Sequence, residues 1–165
     1  MEREVSKIAS NILAAHWDGK LPVDLQEIAA GMGVSLFSSK QLGSLSGKIE
    51  LVDERPQVTI NTNESLVRQR FTIAHELGHF ALGHLSDGQP QFRDPAANFS
   101  TGASSALERQ ANAFAAELLM PQRAVEYAVN EKQMLGIAEL ASTFHVSQAA
   151  MTYRLQELGM LASVL

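Results

Sequence analysis

Three of the chain's five histidines fall within "FTIAHELGHFALGH", residues 71–84, and two of them, His75 and His79, stand four apart with Glu76 beside the first. On a helix, side chains at i and i+4 share a face with Cβ atoms about 6 Å apart, so both imidazoles can reach one divalent cation at roughly 2.0–2.1 Å. Glu76 points about 100° further round the helix. That is a poor position for a third ligand and a good one for taking a proton from water held beside the metal. The pattern reads as a hydrolytic metal site, the competing reading being a polar stripe of surface histidines. Gly78 counts against the stripe: glycine in a helix interior costs about 1 kcal/mol relative to alanine and implies that another element approaches closely.

The chain contains no cysteine, so any metal must be held by nitrogen and oxygen. His84 is five residues after His79, about 140° away on a continuous helix, and reads as a helix-terminal residue suited to the dipole rather than as a ligand. Glu108 opens the helix "SALERQANAFAAELLM", in which Leu107, Ala111, Phe114 and Leu118 form a core stripe. Glu108 and Asn112 share an adjoining face, where the carboxylate can meet the metal and Asn112 can orient one of its histidines. Ser105, three residues earlier, offers a plainer role for Glu108 in a capping box. The spacing favours Glu108 as third ligand and leaves Glu117 as the fallback.

The elements that must carry these residues read as an α+β fold, helix-rich with a small antiparallel sheet. An amphipathic N-terminal helix carries Val5, Ile8, Ile12 and Leu13. In "LPVDLQEIAAGMG", Asp24 and Glu27 suit a capping box and Gly31 or Gly33 a stop. The segments "VSLFSS", "SGKIELV" and "QVTIN" read as strands, the last two joined through "DERP". Asn63, Glu64 and Ser65 then start the histidine helix, expected over about 65–84. Residues 85–104, with two prolines and no helical or strand period, read as a long functional loop. After Pro121 the chain reads as three short helices. The chain is long enough for one compact domain, divided here into a core over 1–125 and a C-terminal helical segment over 126–165.

The N-terminus lacks the uninterrupted apolar core of a signal peptide and no run approaches a membrane span, so the expected location is cytoplasmic, with no membrane partner. A formal net charge of −5 disfavours general attraction to phosphate backbones. "IAELASTFHVSQAAMTYRLQELGML" nonetheless scans as helix-turn-helix, with Ser147 capping the second helix and His145 standing where such turns usually carry glycine. The second helix offers Gln148, Thr152, Arg154 and Gln156 to a groove, with a single positive charge. Packing is favoured over DNA contact.

Two linked motifs carry a wider resemblance. "RQRFTIAHELGHFALGH", followed by "ERQANAFAAELLMP", resembles the ImmA/IrrE family of zinc metallopeptidases, with similarity over roughly residues 20–125 and more loosely beyond. The resemblance implies a zincin-like fold, Zn²⁺ as cofactor, His75, His79 and Glu108 as its ligands and Glu76 as the catalytic base. It implies peptide hydrolysis of a protein substrate, a partner helix-turn-helix repressor or antitoxin of phage, mobile-element, stress-response or toxin–antitoxin type. The rival is a DNA- or repressor-binding regulator with an idle metal site. The sequence identifies no second oxyanion donor: Tyr153, Tyr127 and His145 could serve, but a structural role is favoured for each. "QVTIN" is a candidate edge for an added substrate strand, and Phe92, Arg93 and Phe99 are candidate cleft-lining residues.

Overall fold

The computed structural model describes residues 2–85, 91–95 and 105–164. Its centre is helix α3 (Leu66–Ala81), which begins where the Ser65 side chain accepts from the Arg68 amide. From Thr72 to Ala74 to His79 the helix is almost wholly buried, because it lies between a sheet and a second long helix, α4 (Ala106–Leu119). Ala74 and Leu77 of α3 and Ala111, Phe114, Ala115 and Leu118 of α4 are fully buried between these layers. Leu107, expected in the α4 core stripe, is instead 37% exposed. In the same first turn it is the next residue, Glu108, that is buried.

Helix α1 (Glu2–His16) packs against α4 through Val5, Ala9 and Leu13, an i, i+4, i+8 stripe. In α2 (Leu25–Gly31), Asp24 accepts from the amides of Gln26 and Glu27, and Gly33, at φ +74°, turns the chain away. Beyond α4 follow α5 (Gln122–Asn130), α6 (Ile137–Phe144), α7 (Gln148–Glu157) and a short 3-10 turn at Leu161–Ser163. Among the described residues no helix is long and apolar enough to cross a membrane.

The sheet comprises β1 (Ser35–Ser39), β2 (Leu45–Val52), β3 (Arg55–Asn61) and β4 (Gln91–Pro95), in the order β1-β3-β2-β4. It is mixed rather than purely antiparallel as expected: β1 runs parallel to β3, and the other two pairings are antiparallel. Asp53 and Glu54, at φ 49° and 63°, close the β2–β3 hairpin in the left-handed turn geometry that matches strand twist. The β1–β2 connection crosses the end of β3. There Asn61 Nδ2 donates to the carbonyls of Gly43 and Leu45, and Asn63 Nδ2 to that of Lys40. This crossing leaves β1 on the open side of β3, in the same direction.

Two expectations change as a result. The "QVTIN" strand, β3, is interior with both edges paired, so it has no free backbone for an added substrate strand. Within the expected 85–104 loop, residues 91–95 form the edge strand β4. Its pairing partner lies some forty residues upstream, and alternation over five residues was too short to signal it. The side chains of Phe92 and Arg93, and all of Phe99, lie outside what is described.

Candidate metal centre

His75 and His79 lie on one face of α3, their rings edge-on with centroids 4.7 Å apart and their Nε2 atoms 3.1 Å apart. Glu108, in the first turn of α4, faces both: its Oε2 is 3.2 Å from His75 Nε2 and its Oε1 3.4 Å from His79 Nε2. All three residues are buried, and each can offer one ligand atom within 4.8 Å of the others.

Gly78 lets α4 come this close. A Cβ there would sit 3.0 Å from Phe114 Cδ1 and 3.2 Å from the Ala111 carbonyl oxygen, so the close approach inferred from the sequence is by α4. Ser105 resolves the two roles open to Glu108. The hydroxyl accepts from the Glu108 amide, while the Glu108 carboxylate turns toward the histidines instead of completing a reciprocal box.

The donor chemistry fits a cation. Asn112 Oδ1, 2.8 Å from His75 Nδ1, can only accept, so the proton of a neutral His75 is on Nδ1 and the Nε2 lone pair faces the cluster. That lone pair points at a carboxylate and a second imidazole nitrogen, a grouping that is repulsive unless positive charge is shared among them. Burial opposes ionisation of Glu108. With the positive charge that this cluster requires placed on the imidazole side, hydrogen bonding and charge from His75 and His79 prevail over burial and hold the carboxyl well below the usual carboxylate range.

Glu76 is fully buried on the sheet side of α3. Above it runs β2, where a Cβ at Gly47 would meet Thr72 Cγ2 at 2.4 Å and Glu76 Oε1 at 3.3 Å. Gly47 therefore lets the sheet settle onto the turn that carries Glu76. The sequence signal was a glycine inside a strand, which marks close backbone approach, but nothing local says which helix approaches.

His84 is not the helix-terminal residue expected. The helix ends at Ala81 and Gly83 takes φ +70°. The amide of His84 bonds back to the His79 carbonyl at 2.9 Å and that of Gly83 to Phe80 at 3.1 Å, the paired bonds of a Schellman stop. The ring of His84 is thereby folded beside that of His79, with Nδ1 to Nδ1 at 2.9 Å, and its Nε2 lies 3.1 Å from Gln110 Oε1 on α4. Burial pushes the His84 imidazole pKa below its ordinary value, with the Gln110 hydrogen bond pulling the other way. Gly83 was the available signal.

Glu117 is neither a fallback ligand nor a solvated residue. It is buried against Arg154 of α7 and accepts from the Gln122 amide at 3.3 Å. Arg154 is only 3% exposed; it also donates from Nε to the Met120 carbonyl at 3.0 Å and from a terminal nitrogen to Glu157 at 2.9 Å. The single positive charge on the helix-turn-helix face is thus committed to packing α7 on the core. His145 does take the left-handed conformation, at φ 52°, and Ser147 caps α7 through the Ala150 amide.

A groove of about 940 Å³ runs between α3, α4 and α7, lined by Phe71, Asn112, Ala116, Val146, Ala150 and Tyr153 among others. It does not include the three clustered ligand atoms; it adjoins them through Asn112 and through Phe71, whose ring is 6.4 Å from that of His75. Of the candidate oxyanion donors, Tyr153 is in this groove, Tyr127 is exposed on α5, and His145 occupies the α6–α7 turn.

The family model described as the IrrE N-terminal-like domain of peptidases matches residues 29–156. The metallopeptidase ImmA of Bacillus subtilis is 31% identical over 118 residues, covering 72% of this chain and 67% of that protein. The radiation response metalloprotease IrrE of Deinococcus radiodurans is 32% identical over 149 residues, 88% of this chain and 44% of that protein. The chain thus spans two thirds of the one and under half of the other. A solved structure of a Mycobacterium tuberculosis transcriptional regulator superimposes with a TM-score of 0.67 at 20% identity, over 93% of this chain and 46% of that one, a likeness of fold. With the family match covering most of its length and a buried His-His-Glu cluster suited to a metal ion, the chain belongs to the IrrE N-terminal-like family of metallopeptidases.

Proposed function

We propose that the chain is a zinc-dependent endopeptidase that cuts a partner helix-turn-helix repressor or antitoxin, with His75, His79 and Glu108 as metal ligands and Glu76 as base. The convergence of two imidazole nitrogens and one carboxylate in a buried cluster carries this reading. Two imidazoles, one carboxylate and a position left for water form a donor set that catalytic zinc takes. When bound, the ion supplies a Lewis acid for the scissile carbonyl and acidifies a water.

The chain's own residues do the rest. Asn112 keeps the His75 proton on Nδ1, leaving Nε2 as a ligand. Glu76, buried beneath β2, accepts the water's proton as the new C–O bond forms and passes it to the amine nitrogen as the C–N bond breaks. The groove beside Asn112 offers apolar surface for polypeptide flanking the cut. The repressor as substrate rests on the family resemblance, and a relative named for a radiation response agrees with regulated cleavage.

The test mixes the purified chain with the helix-turn-helix repressor encoded nearest its gene and follows intact masses. Two complementary fragments should form with Zn²⁺ and vanish with a chelator or with Glu76→Gln. A repressor left whole by zinc-loaded wild type removes the substrate assignment, and fragments that persist with Glu76→Gln remove the base. The DNA-binding alternative has against it the burial of Arg154, the one cation its reading helix would offer.

A further inference from the structure

We propose that His84 and Gln110 form a positioning relay that fixes the tautomer and the orientation of His79. The inference rests on the reading of His79 as a metal ligand and assigns a task to two residues outside the ligand set.

Proton placement follows from the donors and acceptors. Gln110 Oε1 can only accept, so the His84 nitrogen 3.1 Å from it, Nε2, carries a proton. In a neutral His84 the other nitrogen, Nδ1, is then an acceptor, and it lies 2.9 Å from His79 Nδ1. The proton between them belongs to His79. His79 Nε2 is left with its lone pair directed at Glu108 and His75, as a metal ligand requires. An imidazole without such a partner favours the opposite tautomer, with the proton on Nε2, where it would block the ligand position.

The relay has a structural origin in the stop of α3. Gly83 at φ +70° allows the amide of His84 to return to the His79 carbonyl, so backbone and side chain of the same residue both address His79. The two rings stand 5.1 Å apart at 66°, an edge-on contact that limits rotation of His79 about its own χ2. Gln110 is on the helix that also supplies Glu108 and Asn112. Helix α4 therefore reaches the Nδ1 side of both histidines, one directly through Asn112 and the other through Gln110 and His84.

The experiment measures Zn²⁺ affinity by competition with a chromophoric chelator, together with the visible spectrum of the Co²⁺-substituted protein. Wild type should bind one ion per chain. His84→Phe keeps a ring of similar size but no acceptor, and should weaken Zn²⁺ binding about 10- to 100-fold and alter the Co²⁺ bands, while the melting temperature of the metal-free protein stays put. His84→Asn, whose amide oxygen can accept from His79 Nδ1, should recover most of that loss. Gln110→Leu should shift affinity in the same direction with His84 untouched, and imidazole nitrogen chemical shifts should report a mixed His79 tautomer; this keeps the test decisive if the ring variant does not fold. Wild-type affinity and spectrum in both His84→Phe and Gln110→Leu would overturn the relay. So would an affinity loss that His84→Asn fails to recover and that tracks a drop in metal-free melting temperature, since that is a packing effect. Absence of metal binding by wild type itself would overturn the metal-site reading, and the relay with it.

Discussion

Nδ1 of His84 lies 2.9 Å from Nδ1 of His79, although five residues along a continuous helix would separate the two side chains by about 140°. The helix stops in time: Gly83 turns the backbone and returns His84 to the turn it has just left. The outer nitrogens of His75 and His79 are each held by a different group, Asn112 for one and His84 for the other.

Metal removal should lower stability measurably. A ligand at about 100 times its dissociation constant stabilises the folded state by roughly 2.7 kcal/mol, which corresponds to several degrees of melting temperature for a chain of this size. Scanning calorimetry with and without a chelator should show that difference in wild type. Glu108→Gln, which removes the anionic member of the cluster, should abolish it.

Glu76→Gln separates binding from chemistry. The amide keeps the shape of a fully buried side chain but cannot take a proton from water, so turnover on a cleavable protein should fall about 10²- to 10⁴-fold. Zn²⁺ affinity should stay within a few-fold of wild type. A matching collapse of affinity would make Glu76 a ligand instead of a base.

Gly47→Ala tests the contact between sheet and helix. The added methyl would lie 2.4 Å from Thr72 Cγ2 and 3.3 Å from Glu76 Oε1, so the buried Thr72 side chain, β2 or the helix beneath it must shift. Overpacking of this kind costs about 1–3 kcal/mol. Denaturant unfolding should report that loss, and peptidase activity should drop by more than zinc occupancy does. Gly47→Ala activity equal to wild type would show that the sheet does not hold Glu76 in place.

Arg154→Leu should destabilise by about 3–5 kcal/mol, because the buried Glu117 carboxylate loses its partner and the Met120 carbonyl a donor. Adding Glu117→Leu should return much of the loss, since an apolar pair of similar volume replaces the ions. Urea unfolding of the single and double variants measures both. An Arg154→Leu single variant as stable as wild type would mean that the pair contributes nothing to docking α7.

Relations between residues a few positions apart were readable along the chain. His75, Glu76 and His79 owe their relative directions to helical periodicity, and Asp24, Ser65, Ser105 and Ser147 cap their helices as their side chains dictate. The spacing of Glu108 and Asn112 placed both on one face of α4. Spacing favoured Glu108 over Glu117 for meeting the histidines but did not decide between them, because both are acidic residues on the same helix. Tertiary structure decided it: Arg154 arrives from α7 to neutralise Glu117, while Gly78 admits Phe114 and draws the first turn of α4 over the histidine pair. The same holds for the sheet. Alternation marked β1, β2 and β3, but strand order and direction depend on which backbone edges meet across distant segments, and β3 became interior only when β1 crossed to its open side. His84 lies between the two cases. Its turn was encoded locally by Gly83, but its value to His79 depends on a neighbouring helix bringing Gln110 to the far side of the ring.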